Sequence, residues 1–235
     1  AQWTGVPIPK LLAMVTPSAK GKRILIDGFD EHSKPSDNAH SKPGASWIFT
    51  PEQLKHAFLA TGMNGKDLSK DHGFPVRLIV PGWYGCCCIK WVTRIAFVDE
   101  TSSATSQMLE FASRTHQKGI PKLAKDYAPA TMDQAAMPIR VERWNKADGT
   151  SMIRFVGVMW GGYEPAGKLL MRIGSAAPAP VAVCPKVVTN ATWTLFKHVW
   201  QPPNKGTYAI SMEIDDPTVP TRRLDLKWYR RVVTV

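Results

Sequence analysis

From residue 139 onward the chain alternates short apolar runs with turn residues. IRVERW (139–144), MIRFVGVMW (152–160), KLLMRIG (168–174), VAVC (181–184), TWTLFKHVW (192–200), TYAISMEI (207–214) and YRRVVTV (229–235) are rich in strand formers. Ala-Asp-Gly, Gly-Gly and Pro-Pro-Asn-Lys-Gly separate some of them. Short strand-like runs at this spacing predict an antiparallel β-sandwich. The first half has a different texture. RILI (23–26) reads as a short strand, and the polar stretch 28–50 reads as a long loop. Thr50-Pro51-Glu52-Gln53 reads as a helix start, with Thr50 at the N-cap, Pro51 in the first helical position and Gln53 completing a capping box. Leu54, Ala57 and Phe58 then fall on that helix's buried face. Asn64-Gly65 predicts a turn. In HGFPVRLIVPGWYGCCCIKW (72–91), apolar runs at 76–80 and 86–89 flank Pro81-Gly82-Trp83-Tyr84-Gly85. Two buried strands joined by a turn are expected there. Residues 105–116 are mostly helix formers, and GIPKLAKDYAPATMDQAAMP (119–138) reads as a connection. The fold class expected is α+β: a mixed α/β domain over 1–131 and a β-sandwich over 132–235.

Composition narrows the picture little. The 235 residues are 44% hydrophobic and 21% charged, as in ordinary globular chains. No apolar stretch approaches the roughly 18–20 residues of a membrane helix. The opening AQWTGVPIPKLL has neither the basic start nor the apolar core of a signal peptide. The net charge is +11. That favours anionic partners or substrates, but the basic residues are scattered and no nucleic-acid reading motif is present. The cysteines are Cys86, Cys87, Cys88 and Cys184. They form no CxxC pair, so no metal-ligand set is predicted. The triplet reads as small buried side chains, with neighbours on opposite faces of a strand.

The chemistry stands in 72–91. His72, Arg77 and Lys90 sit in or beside the apolar runs, although Lys and Arg are rarely buried unless paired. The motif alone leaves two readings, surface ion pairs or a bound anion.

The spacing HGFPVR…PG…G…KW resembles the signature of the sulfite oxidase family of molybdopterin oxidoreductases. The resemblance extends through MNGKDLSKDHGFPVR (63–77), and AQWTGVPI (1–8) is similar to a segment shortly after that family's molybdenum-binding cysteine. VGVMWGG (156–162) and IDDPTVPTRRLDLKWYRRV (214–232) resemble its immunoglobulin-like dimerisation domain. The resemblance implies a sulfite-oxidase-like, N-terminally incomplete molybdopterin domain followed by an immunoglobulin-like sandwich. It implies molybdopterin as cofactor, held chiefly at its phosphate by His72, Arg77 and Lys90. Cys88 and Ile89, next to Lys90, are further cofactor contacts, and Asp30 would bond the pterin ring. Such a phosphate carries about two negative charges and rewards convergent cations.

Departures from the pattern carry their own expectations. The metal-ligating cysteine has no counterpart here, so another chain, or a part of the protein before this sequence, would supply it with the N-terminal part of the fold. Where the family places a tyrosine beside the metal, LEFASRTHQKG (109–119) offers His116, with Arg114 near it; Tyr127 competes at a poorer spacing. For substrate, the family's arginine matches Arg222, with Arg223 adjoining. The implied reaction is oxidation of sulfite to sulfate, with electrons passed to a cytochrome c-type acceptor. Homodimerisation through the second domain and a periplasmic location are expected on the same resemblance. The contrasting reading is a non-catalytic binding or assembly subunit.

Overall fold

The computed structural model describes residues 1–29, 45–162, 167–183 and 193–235. The chain divides into two compact units, Ala1–Thr131 and Met132–Val235. Among the described residues no helix is long and apolar enough to cross a membrane.

The first unit is built on two antiparallel sheets. In one, Phe58–Met63 is central, with Trp3–Pro7 on one side and both Lys66–Asp67 and Arg77–Ile79 on the other. In the other, Arg23–Gly28 lies between Ala45–Phe49 and Val92–Val98. Alternation along Arg23–Gly28 puts Ile24 and Ile26 at zero exposure. They join Trp47, Phe49, Leu54, Leu78, Cys87, Ile89 and Met108 in one core. The RILI strand and the turn at 64–65 are found as expected, Asn64 and Gly65 both taking positive φ of 54° and 76°.

Helix is scarcer than the sequence suggests. The capping box at 50–53 forms: Gln53 N–H donates to Thr50 Oγ1 at 3.2 Å, and Thr50 N–H donates to Gln53 Oε1 at 2.9 Å. Yet only a single 3-10 turn, Glu52–Leu54, follows. Phe58 belongs to a strand rather than to a helix face, because strand partners on both sides supply a full ladder from residue 58 onward. Tertiary pairing outweighs the weak local preference. Of 105–116, Ser106–Glu110 is α-helix, capped by Thr105 Oγ1, and Ala112–Arg114 is a 3-10 turn. The run 86–89 is also not a strand. Gly85–Cys87 is a 3-10 turn closed by Cys87 N–H to Tyr84 O and Cys88 N–H to Gly85 O, each 3.0 Å. A short apolar run marks burial, and burial alone does not separate a strand from a tight turn.

The second unit follows the sequence pattern closely. One sheet orders Ala182–Val183, Thr194–Trp200, Ser151–Trp160 and Ala135–Asn145; the other orders Ala179–Pro180, Leu169–Ile173, Thr207–Ile214 and Arg231–Thr234. Both sheets contribute to one core, in which Ile153, Phe155 and Phe196 from the first meet Met171, Ile210 and Met212 from the second. Gly157 is required by this packing: its register partner is Phe196, whose ring occupies the place of a Cβ. Cys184 lies outside the described residues.

Phe155 is fully buried, with its ring centroid 6.3 Å from that of Trp200. Phe155→Ala is expected to lower unfolding stability by about 3–5 kcal/mol through lost transfer energy and a residual cavity. Urea denaturation followed by tryptophan fluorescence measures it.

Candidate functional site

The cations of 72–91 are brought together by backbone geometry. Leu78 N–H donates to Ile89 O at 2.7 Å, and Val92 N–H donates to Val76 O at 3.0 Å. These two bonds set Arg77 opposite Lys90. His72 closes the 3-10 turn Lys70–His72, whose N-cap Ser69 also meets His72 Nδ1 at 2.7 Å. The ring is thereby fixed through Nδ1, which leaves Nε2 as its other polar atom. Gly73 follows at φ 100°, and a Cβ there would lie 3.0 Å from the Lys90 Cβ and 3.2 Å from the Arg77 Cβ. A glycine is needed both for the left-handed backbone and for this close approach. His72, Arg77 and Lys90 therefore surround one point of the chain.

Neighbours hold the two long side chains. Arg77 donates through Nη1 to His72 O at 3.2 Å and through Nη2 to Cys88 O at 3.4 Å. Its guanidinium lies 5.5 Å from the Trp3 ring centroid, and the Lys90 ammonium 5.4 Å from that of Trp91. Trp91 takes φ 50°, unusual for a bulky residue, and its Nε1 donates to Lys70 O at 3.0 Å. At the end of Arg23–Gly28, a Cβ on Gly28 would strike Lys90 O and come within 2.8 Å of Ile89 Cγ2. Trp3, Ser69, Gly28 and Trp91 were not singled out from sequence, although the glycines and the Lys-Trp pair carried a signal. Of the expected contacts, Cys88 acts through its carbonyl and Ile89 is a core residue, 2% exposed. Asp30 lies outside the described residues.

The arrangement has one electrostatic gap. The ion pairs described in this unit, Arg23 with Glu100, Lys55 with Glu52 and Arg94 with Asp27, include none of the three cations. Arg77 Nε is buried and has no hydrogen-bond partner among the described residues. A buried donor without an acceptor is uncommon and asks for a ligand. A doubly charged phosphate fits: Arg offers a planar fork, Lys a point charge and His a directional donor.

Other expected site residues stand apart from this cluster in the chain. His116 Nε2 meets Thr131 O at 3.0 Å and Thr131 Oγ1 at 3.2 Å, while Arg114 lies over Tyr84, 5.6 Å from the ring centroid. Tyr127 is a core residue at 7% exposure, and its buried hydroxyl has no partner among the described residues. Burial raises its pKa. Burial likewise raises the Cys88 thiol, and the Cys87 thiol more strongly. Burial thus favours the protonated thiol at both positions. In the second unit, Arg222 opens the short helix Arg222–Asp225 and pairs with the fully buried Asp133 at 3.5 Å. Arg223 is itself buried and stacks 4.3 Å from the Trp228 ring centroid.

Residues 1–106 match the model of the oxidoreductase molybdopterin binding domain. The first unit is thus similar to the cofactor domain of molybdopterin oxidoreductases, and the cofactor this likeness implies is molybdopterin. Similar proteins of that class include both sulfite oxidase and nitrate reductases. Nitrate reductase [NADPH] of Beauveria bassiana is 35% identical over 102 residues, 43% of this chain and 11% of that protein. Mitochondrial sulfite oxidase of Rattus norvegicus is 28% identical over 181 residues, 74% of this chain and 31% of that protein. This chain therefore spans a tenth to a third of the length of these relatives. The crystal structure of the sulfane dehydrogenase SoxCD from Paracoccus pantotrophus shares the fold, with a TM-score of 0.61 at 22% identity over 97% of this chain and 55% of that one.

Gly73 tests the cluster without touching a charge. Gly73→Ala is expected to cost about 1–2 kcal/mol for the left-handed conformation and to push the Arg77 and Lys90 stems apart. Thermal stabilisation by inorganic phosphate should fall with it; an unchanged phosphate response would show that the cluster does not depend on this approach.

Proposed function

We propose that this chain is part of a molybdenum-dependent oxidoreductase that oxidises sulfite to sulfate, with His72, Arg77 and Lys90 holding the phosphate of its cofactor. The observation that carries the reading is the close approach of the Arg77 and Lys90 stems at Gly73, next to His72, with Arg77 Nε buried and lacking a hydrogen-bond partner among the described residues. Cys88 acts by fixing Arg77 through its carbonyl, and Ile89 by anchoring the segment in the core. When bound, molybdopterin supplies the two-electron chemistry. The chain's own residues bind and orient it. Charge-assisted bonds grip the phosphate, and the stacked Trp3 and Trp91 restrict the long cations to few rotamers. Asp30, as a pterin contact, remains part of the reading.

On the substrate side, the reading assigns a small oxyanion to Arg222. Its guanidinium lies 3.5 Å from the buried Asp133 carboxylate, which orients it. Arg223 is committed to Trp228 and the core. His116, tethered to Thr131, is the proposed group beside the reacting centre, with Tyr127 the alternative; a histidine there can pass protons near neutral pH. The metal thiolate is proposed to come from outside this sequence, because Cys86, Cys87 and Cys88 stand on the turn that leads into Lys90. Homodimerisation through an immunoglobulin-like second unit, a cytochrome c-type acceptor and a periplasmic location complete the proposal.

Nitrate reduction is the second reading, favoured by the nitrate reductase relatives, of which that of Fusarium oxysporum aligns over 74% of this chain. A non-catalytic assembly role is the third. Elemental analysis of the intact protein separates catalysis from assembly, since molybdenum with pterin is expected only for the former. Sulfite-dependent reduction of an electron acceptor against nitrate-dependent oxidation of a reduced dye then separates the two substrates.

Three substitutions test the residues. Lys90→Met removes a charge-assisted contact worth roughly 1.5–3 kcal/mol, so pterin retention should fall about tenfold or more; undiminished pterin would refute the assignment. Arg222→Met should raise the KM for sulfite strongly with little change in kcat, because the contact exists in ground and transition states alike. Arg223→Met should affect stability before KM. An unaltered KM in the Arg222 variant would remove this arginine from the substrate site.

A further inference from the structure

The cysteine triplet changes meaning once its backbone is known. On a strand, Cys86 and Cys87 would face opposite ways. On the 3-10 turn Gly85–Cys87 they do not, and their Sγ atoms lie 3.9 Å apart. Neither is in a disulfide. A direct bond would need the sulfurs at about 2 Å and the Cα atoms beyond about 4.4 Å. Adjacent residues across a trans peptide hold their Cα atoms at about 3.8 Å, so a disulfide here is strained. A single bridging atom is not. Two metal–thiolate bonds of about 2.3 Å at a tetrahedral angle span about 3.8 Å between sulfurs, which is the separation found.

The turn is also placed for such a ligand. Gly85 is exposed, and a Cβ on it would meet nothing within 4 Å among the described residues. Cys86 is partly exposed and Cys87 is buried behind it. The Gln107 amide clamps the turn from the other side, donating to Cys86 O at 2.7 Å and accepting from Ser46 N–H at 2.7 Å. The Cys88 sulfur is occupied differently, accepting from Val80 N–H at 3.5 Å.

We propose that Cys86 and Cys87 form a dithiol site for one thiophilic centre of bent coordination, of the trivalent arsenical class. Capture is a condensation: an arsenoxide R–As=O and two thiols give a dithioarsenite, R–As(S–)2, and one water. Two As–S bonds form, two S–H bonds and the As=O bond break, and no oxidation state changes. No external base is required to hold a thiolate beforehand, which matters because burial keeps the Cys87 thiol protonated. The centre enters at Cys86, and ring closure follows at Cys87. The site lies directly before the segment that carries Cys88 O and Lys90. On the phosphate reading above, loading it disturbs the Arg77 contact to Cys88 O as well.

The test uses phenylarsine oxide on the full protein. One equivalent should bind, seen by intact mass as a gain of one phenylarsenic bridge with the loss of two thiol hydrogens. Alkylation mapping should find Cys86 and Cys87 protected and Cys88 and Cys184 not. A dithiol should reverse it and a monothiol should not. Cys86→Ser and Cys87→Ser should each bind roughly tenfold or more weakly, because a single thiol loses the effective concentration of the second; Cys88→Ser should bind as the parent does. A bridge mapped to any other pair, or full retention in Cys86→Ser, overturns the proposal. The mapping needs no variant and no cofactor, so it stands or falls apart from the phosphate assignment. Under that assignment, arsenical loading also weakens phosphate stabilisation; an unchanged phosphate response beside a mapped Cys86–Cys87 bridge counts against the phosphate reading alone.

Discussion

Two backbone hydrogen bonds, Leu78 N–H to Ile89 O and Val92 N–H to Val76 O, set the geometry on which the site depends. They bring together two cations that would otherwise repel. The cost is met locally by core burial on either side, with Leu78 and Ile89 at 0% and 2% exposure. Alternation of side chains then sends Leu78 inward and Arg77 to the opposite face. Gly73 and Gly28 let backbone approach where any side chain would separate the strands. The positive cluster is thus a product of apolar packing, not of attraction among its members. An anion completes it electrostatically; without one, Arg77 Nε is a desolvated donor with no protein acceptor among the described residues.

Much of the second unit was legible because its strands alternate cleanly and its turns carry Gly, Pro and Asn. The first unit was less so, for a physical reason that recurs. Thr50 and Gln53 form their reciprocal bonds as the sequence suggests, but the segment turns into a strand because Phe58–Met63 has partners on both sides. Local capping energy is about 1 kcal/mol, whereas a central strand gains a ladder on each edge. At 86–89 the apolar run correctly marked burial, with Cys87 and Ile89 in the core. Hydrophobicity carries no information about φ, however, and a 3-10 turn buries alternate residues nearly as a strand does. That one misreading also hid the proximity of the Cys86 and Cys87 sulfurs.

The candidate site was legible to the same uneven degree. His72, Arg77 and Lys90 stood out because cations inside apolar runs need an explanation. The residues that position them did not stand out, since Trp3 lies far away in sequence and Ser69 acts only locally, as cap and ring partner of His72. The resemblance pointed to Arg222 over the adjoining Arg223 by position alone. The difference is set by packing: a fully buried Asp133 faces Arg222, and the Trp228 ring covers Arg223. A buried carboxylate that already holds one arginine makes that arginine costly to remove, so stability is at stake at this position beside the proposed substrate contact.

Under the proposed phosphate assignment, the same coupling holds at the cluster of His72, Arg77 and Lys90. A ligand that binds only the folded state stabilises it by mass action. Here the folded state without its anion retains a desolvated donor and a concentration of like charge within a chain of net charge +11. The unfolded chain bears neither penalty, because its cations are hydrated and spread apart. Anion binding at the cluster would therefore recover energy that folding alone forfeits. A cluster arranged this way is marginal as a structural element and strong as a binding element. That asymmetry is what distinguishes it from the ion pairs elsewhere in the unit, in which Arg23 and Arg94 carry their counter-charges within the chain.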